Sequence, residues 1–401
     1  MRSVVVTGLG ATTPLGGDVP STWSALLAGE SGAAALTAEW AQRLPVRIGA
    51  PLRKECAGAL GRLEARRLDR SQQIALLAAR EAWHDAGSPQ VEPQRLAVVF
   101  GTGLGGVHTT IDQHTRLENH RPGMVSPFTI PMIMPNGAAA VVSLELGARG
   151  GAHAPMSACA SGAEAIATGL ALIRSGRADV VVAGGTDACL HPLPLAAFTK
   201  MGTLSTRNDS PETASRPFDR DRDGFVMGEG AGAVVLERGE FAASRNARAH
   251  AVLAGADVTS DAHHMTTPNS DGQIRAIRGA LMSADLTAAE VSHVNAHATG
   301  TRLGDETEAR SIAEAVGSHP SVAATKAQTS HLIGGAGAVE AIFTILTMRE
   351  SVIPASRNLD QVDVGVPIDV VSGEPRAASV EAAISNSFGF GGHSVVLAFT
   401  Q

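Results

Sequence analysis

Two periodicities alternate along the chain. Short apolar runs rich in β-branched residues, at 3–7, 96–100, 180–183, 231–236 and 291–295, are too brief for helices and predict buried strands. Longer Ala/Leu-rich segments with polar residues at helical spacing predict helices over 71–86, 162–175, 272–284, 305–316 and 335–350. Gly176 directly after the second of these is a fitting C-terminal stop. Strands without a polar face, alternating with helices, imply an α/β fold whose sheet is covered on both sides. No low-complexity linker divides the chain, and the best seam lies near 240–250, where a charged stretch precedes a new apolar run. The predicted halves are therefore 1–245 and 246–401. They echo each other faintly: Ser157-Ala158-Cys159 leads into Ala163-Glu164-Ala165-Ile166, and Ser330-His331 into Val339-Glu340-Ala341-Ile342.

Composition narrows the class. The chain has 401 residues, enough for two domains or one large duplicated one, and 44% apolar residues supply a sizeable core. There is no tyrosine and only 3% aromatic residues, so packing rests on Ala, Val, Leu and Ile. A net charge of −7, with no basic run interleaved with aromatics, argues against nucleic acid as a partner. No apolar run of about 18 residues predicts a membrane span. The start of the chain reads as strand and turn rather than as a signal peptide, so a soluble cytoplasmic enzyme is expected.

Three cysteines, Cys56, Cys159 and Cys189, form neither a disulfide framework nor a zinc motif. Cys56 and Cys189 read as small core residues. Cys159 differs, because in Pro155-Met156-Ser157-Ala158-Cys159-Ala160-Ser161-Gly162 it sits where an extended run gives way to a helix. The positive end of that helix should favour thiolate there. His297, in Asn295-Ala296-His297-Ala298-Thr299-Gly300-Thr301, and His331, in Lys326-Ala327-Gln328-Thr329-Ser330-His331-Leu332-Ile333-Gly334-Gly335, stand in equally unusual contexts. One thiol and two imidazoles suit acyl transfer. The other twelve histidines, His263, His264 and His393 among them, read as surface or hydrogen-bonded core residues. Gly101-Thr102-Gly103-Leu104-Gly105-Gly106 lacks the Lys-Ser/Thr of a phosphate loop and the dinucleotide spacing, and reads as a packed turn.

These motifs, together with Gly8-Leu9-Gly10-Ala11-Thr12-Thr13-Pro14-Leu15-Gly16, Leu204-Ser205-Thr206-Arg207-Asn208-Asp209, Ser215-Arg216-Pro217-Phe218-Asp219, Asp223-Gly224-Phe225-Val226-Met227-Gly228-Glu229-Gly230 and Asn386-Ser387-Phe388-Gly389-Phe390-Gly391-Gly392, resemble the β-ketoacyl-[acyl carrier protein] synthases of type I/II along nearly the whole chain. The resemblance implies a thiolase fold, duplicated in five layers α/β/α/β/α, and a homodimer. It implies decarboxylative condensation of a malonyl thioester with an acyl group held on Cys159, with acyl carrier protein as partner and no external cofactor. It makes His297 and His331 the groups facing the malonyl-derived thioester oxygen, and the backbone N–H groups of Cys159 and Phe390 the oxyanion hole for the acyl oxygen. Lys326 and Glu340 become a charge pair ordering the site. Leu104, Ala158, Phe198, Ile333 and Phe390 would line the acyl channel, with Thr129 supplied by the second protomer. Thr299 and Thr301 would face the pantetheine arm, and Thr266 would be a further substrate-binding residue. Asn295, Glu340, Ser385 and Asn386 match a structural monovalent-cation site, and Arg62, Arg66, Arg67 and Lys200 would meet an acidic carrier protein.

Some positions depart from the family pattern. Ala298 and Gly300 stand where Gly and Ser are usual, Ser330 where Gly is usual, and His393-Ser394 where Thr-Asn is common. These changes leave open a specialised ketosynthase of a type II polyketide pathway, or a paralogue insensitive to inhibitors. A degradative thiolase would need a second reactive cysteine in the C-terminal half, and none follows Cys189.

Overall fold

The computed structural model describes residues 2–119 and 122–401. The first half contributes β1 (Val4–Thr12), β2 (Leu96–Gly101), β3 (Ala152–His153), β4 (Val180–Ala188) and β5 (Glu229–Arg238). The second contributes β6 (Ala251–Ser260), β7 (His293–Asn295), β8 (Ser321–Ala323), β9 (Asp369–Val370), β10 (Ala382–Gly389) and β11 (His393–Thr400). They form one sheet in the order β9-β8-β7-β10-β11-β6-β1-β5-β4-β2-β3. Reading outward from the β6–β1 junction, each half repeats one pattern: two antiparallel neighbours, then parallel ones. The junction itself is slight, pairing only Val5 with Val252 and Val6 with Ala251.

Helices α1 (Arg70–Asp85) and α2 (Gly137–Leu146) cover the outer face of the first half. Helices α3 (Ser161–Arg174) and α4 (Ala336–Glu350) lie between the two half-sheets, and α5 (Ser270–Ala284) and α6 (Arg302–Ala315) cover the outer face of the second. The result is the duplicated five-layer thiolase arrangement. Helix α4 is buried from Ala336 through Met348, so it carries no polar stripe, as its central position requires. Close packing is bought locally by glycine: a Cβ on Gly8 or Gly10 of β1 would collide with the carbonyls of Ala82 or Ala78 in α1.

The repeat clarifies the faint echo in the sequence. Ala158 and Ile333, both non-glycine, share a φ of 51° and each opens a short 3-10 turn leading into α3 or α4. The structural counterpart of Cys159 is therefore Gly334, not His331. Among the described residues no helix is long and apolar enough to cross a membrane.

Candidate active site

Cys159 is the middle residue of the turn Ala158–Ala160. The turn needs a left-handed residue at Ala158, an uncommon conformation for a residue with a Cβ, and Ser161 braces it. The Ser161 hydroxyl accepts from Ser157 N–H at 3.0 Å and lies 2.7 Å from Ala158 O and 3.1 Å from Thr102 O. The Cys159 Sγ is 3.0 Å from His331 Nε2, and the Phe390 backbone N–H is directed at the sulfur. Burial pushes the thiol up to about 12, with the Lys326 ammonium opposing and the Asp187 carboxylate adding to the effect. Desolvation therefore opposes the thiolate expected from the helix terminus.

His297 follows the end of β7, in a loop pinned by two carboxylates from α6. Glu308 accepts the N–H groups of His297 at 2.8 Å and Ala298 at 2.6 Å, and Asn386 Nδ2 at 3.1 Å. Asp305, one turn earlier, accepts from Gly300 N–H at 3.0 Å and Phe218 N–H at 2.8 Å. Gly300 has φ 89°, so the glycine suits this turn where the family pattern has serine. Lys326 Nζ lies 3.2 Å from His297 Nδ1 and forms a buried ion pair with Glu340. An ammonium can only donate, so Nδ1 must accept and the His297 proton sits on Nε2, toward the cavity. Burial, reinforced by the Lys326 charge, holds both imidazoles neutral. The reactive atoms of Cys159, His297 and His331 lie within 4.8 Å of one another.

These three side chains stand in a cavity of about 280 Å³ also lined by Phe198, Thr266, Thr299, Thr301, Ile333 and Phe390. Met201, Met265 and Leu303 are exposed at its rim. Phe390 belongs to the tight turn joining β10 to β11, with Gly391 and Gly392 left-handed, so the glycine tail is both a hairpin turn and a wall of the cavity. His264 and His393, read from sequence as ordinary histidines, also line it, as does Ala298. Two expected lining residues do not: Leu104 is 43% exposed and Ala158, though half-buried, is not part of the wall. Thr129, expected from a second protomer, is half-buried and does not line the cavity of its own chain. Arg62, Arg66, Arg67 and Lys200 are all exposed, and Arg67 stacks over the Phe128 ring at 5.2 Å. Asn295, Glu340, Ser385 and Asn386 are buried together, Asn295 and Ser385 being paired in register across β7 and β10.

Sequence reasoning missed three carboxylates that shape the site, namely Asp305, Glu308 and Asp187. All three are buried, and acids at core positions of an apolar strand or helix were the available signal.

The Beta-ketoacyl synthase, N-terminal domain family model matches residues 1–242, and the Beta-ketoacyl synthase, C-terminal domain model matches residues 250–360. The chain belongs to the β-ketoacyl synthase family. It is 44% identical to 3-oxoacyl-[acyl-carrier-protein] synthase 2 of Mycobacterium tuberculosis, over 99% of this chain and 96% of the relative. A crystal structure of a β-ketoacyl synthase from Burkholderia phymatum superposes with a TM-score of 0.94 at 35% identity, covering 100% of both chains. A type II polyketide ketosynthase, in complex with its acyl-carrier protein and bound to a hexaketide, gives a TM-score of 0.92 at 27% identity, covering 100% of this chain and 99% of that one.

Proposed function

We infer that this protein is a 3-oxoacyl-[acyl-carrier-protein] synthase of fatty-acid biosynthesis, which condenses a malonyl thioester with an acyl chain held on Cys159. The observation that carries the reading is the convergence of Cys159, His331 and a Lys326-oriented His297 on one cavity. The greater likeness to a fatty-acid synthase than to the polyketide ketosynthase supports this pathway over the polyketide one.

In the first half-reaction Cys159 attacks the acyl thioester. A carbon–sulfur bond forms at Cys159 and the one to the carrier arm breaks. The thiol proton passes by way of His331 Nε2, 3.0 Å away, to the departing thiolate. The N–H groups of Cys159 and Phe390 serve the oxyanion that forms. In the second half-reaction the malonyl group loses carbon dioxide and the resulting enolate attacks the acyl-Cys carbonyl, releasing Cys159. His297 presents a fixed Nε2–H to the enolate oxygen. His331 Nδ1 has no partner among the described residues, which frees its remaining proton to occupy Nε2 once the sulfur is acylated.

Asn295 Oδ1, Glu340 Oε2, Ser385 Oγ and Asn386 Oδ1 are buried without hydrogen-bond partners among the described residues, a donor set that fits a monovalent cation. Such an ion would supply positive charge beside Glu340, and these four residues would hold it. A second copy of the chain is proposed to cover the edge strand β3 and the exposed Leu104, Met124, Phe128, Ile130, Leu144 and Met156. That contact would bring Thr129 to a neighbouring site. Arg62, Arg66, Arg67 and Lys200 are proposed to meet the carrier protein, and charge reversal at Arg66 and Arg67 should raise its KM in a salt-dependent way.

The test is mass spectrometry of products from purified enzyme with malonyl-carrier protein and acyl-carrier proteins of graded length. Extension by two carbons, absent in Cys159→Ala, is expected. Acylation of Cys159 without extension would reject the homomeric fatty-acid reading.

A further inference from the structure

The end of β4 places a carboxylate where the two halves of the molecule meet. Asp187 is fully buried, yet its nearest partners are not cations but four backbone or hydroxyl donors from two distant segments. Its Oδ1 accepts from Thr102 Oγ1 at 2.8 Å and Leu104 N–H at 3.2 Å. Its Oδ2 accepts from Gly103 N–H at 2.8 Å and Gly334 N–H at 2.7 Å. Both glycines are needed for this approach, since a Cβ on Gly103 or Gly334 would lie 2.9 or 2.6 Å from Oδ2.

Each anchored segment leads directly to a reacting group. Gly334 is three residues from His331, beyond the left-handed Ile333. Thr102 reaches Cys159 through Ser161, whose hydroxyl lies between Thr102 O and Ala158 O and also accepts from Ser157 N–H. One carboxylate therefore sets the imidazole-bearing turn against the thiol-bearing turn across the seam between the halves.

We propose that Asp187 is a positioning residue of the acyl-transfer step, holding Cys159 Sγ and His331 Nε2 at their 3.0 Å separation by clamping the Thr102–Leu104 loop to the Gly334 turn. The assignment rests on Cys159 as the acyl acceptor. Burial pushes the Asp187 carboxyl up to about 6, and its negative charge in turn favours the thiol form of Cys159. Asparagine at 187 would keep the shape but turn an NH₂ toward one pair of donors, leaving them unmatched.

The experiment compares wild type, Asp187→Asn and Ser161→Ala by rapid-quench measurement of acyl mass appearing on Cys159, alongside iodoacetamide alkylation of Cys159 from pH 7 to 9. Asp187→Asn should lose about 10- to 100-fold in the transfer rate, the penalty of a misplaced reacting pair, with KM for the acyl-carrier protein unchanged. Removal of its charge should also speed alkylation at each pH. Ser161→Ala cuts the link to the Cys159 turn while keeping the charge, so transfer should fall and the pH dependence of alkylation should stay as in wild type. Transfer as fast as wild type in Asp187→Asn, or in Ser161→Ala should the first variant not fold, overturns the assignment. Acyl mass on wild-type Cys159 tests the reading of the site separately, so the two failures are distinguishable.

Discussion

Lys326 has two duties that a pair of variants separates. Its Nζ donates to His297 Nδ1 at 3.2 Å and balances Glu340, and both members of the ion pair are buried. Lys326→Met keeps the length of the side chain and removes both interactions. A hydrogen bond to a charged group contributes about 1.5–3 kcal/mol, and at about 1.4 kcal/mol per decade its loss lowers the decarboxylation rate about 10- to 150-fold. Without the ammonium, His297 is free to carry its proton on Nδ1, the wrong side for the enolate oxygen. Stability should fall as well, by about 3–5 kcal/mol, because Glu340 is left buried and unpaired. The double variant Lys326→Met/Glu340→Gln removes that stranded charge, so it should regain most of the stability and none of the activity. Carbon dioxide release from malonyl-carrier protein and thermal unfolding of the three proteins report the two effects. Decarboxylation at the wild-type rate in the single variant would refute the tautomer argument. Recovery of activity in the double variant would refute it equally.

Three further outcomes are expected. Ser330 holds φ 62° and ψ −172°, a region suited to glycine, and its buried hydroxyl has no partner among the described residues, so Ser330→Gly should raise stability by about 1 kcal/mol, seen as a higher Tm; a lower Tm would contradict this. With its thiol pushed up to about 12, Cys159 should be alkylated about tenfold faster for each pH unit between 7 and 9, and a plateau in that window would rule out a protonated resting sulfur. Asp179, 2.9 Å from Arg95 Nε and 2.8 Å from Arg238 Nε, is held down to about 2 by hydrogen bonds from Arg95 and then Arg238. A depressed carboxyl stabilises the fold above its ordinary 3.8 and ceases to do so as pH falls toward 2. Asp179→Asn should therefore lower Tm at pH 7 and converge with wild type in acid; equal Tm at pH 7 would exclude the effect.

What could be read in the sequence follows from the range of the interactions involved. Helices such as α3 and α5 were legible because their apolar spacing is local, and Cys159, His297, His331, Lys326 and Glu340 because each lies in a distinctive short motif. Strand β6 was passed over because its outward residues are half-exposed, which blurs the apolar run. The glycine-rich 389–392 stretch is itself a turn signal, and the structure places it between β10 and β11 as a hairpin. For Asp187 and Glu308 the sequence signals burial of an acid but not its partners, because most of these are backbone N–H groups, which carry no residue-type signal. In Asp187 those donors lie 83 to 147 residues away. Leu104 fell outside the cavity because its side chain is 43% exposed, which its apolar character does not announce.

The correspondence of Cys159 with Gly334 bears on the molecule's history. The nucleophile comes from one half of the chain and both imidazoles from the other, so neither half contains a working centre. A half-length ancestor could have run this chemistry only as a pair, with two centres related by symmetry. The two corresponding turns differ in what they hold: one carries the thiol, while the other gives its Gly334 N–H to the internal Asp187 carboxylate. A cysteine at 334 could not act as a second nucleophile, because its Cβ would meet Asp187 Oδ2 at 2.6 Å. The repeat thus puts two copies of one turn to different use, one presenting a thiol and the other anchoring a carboxylate.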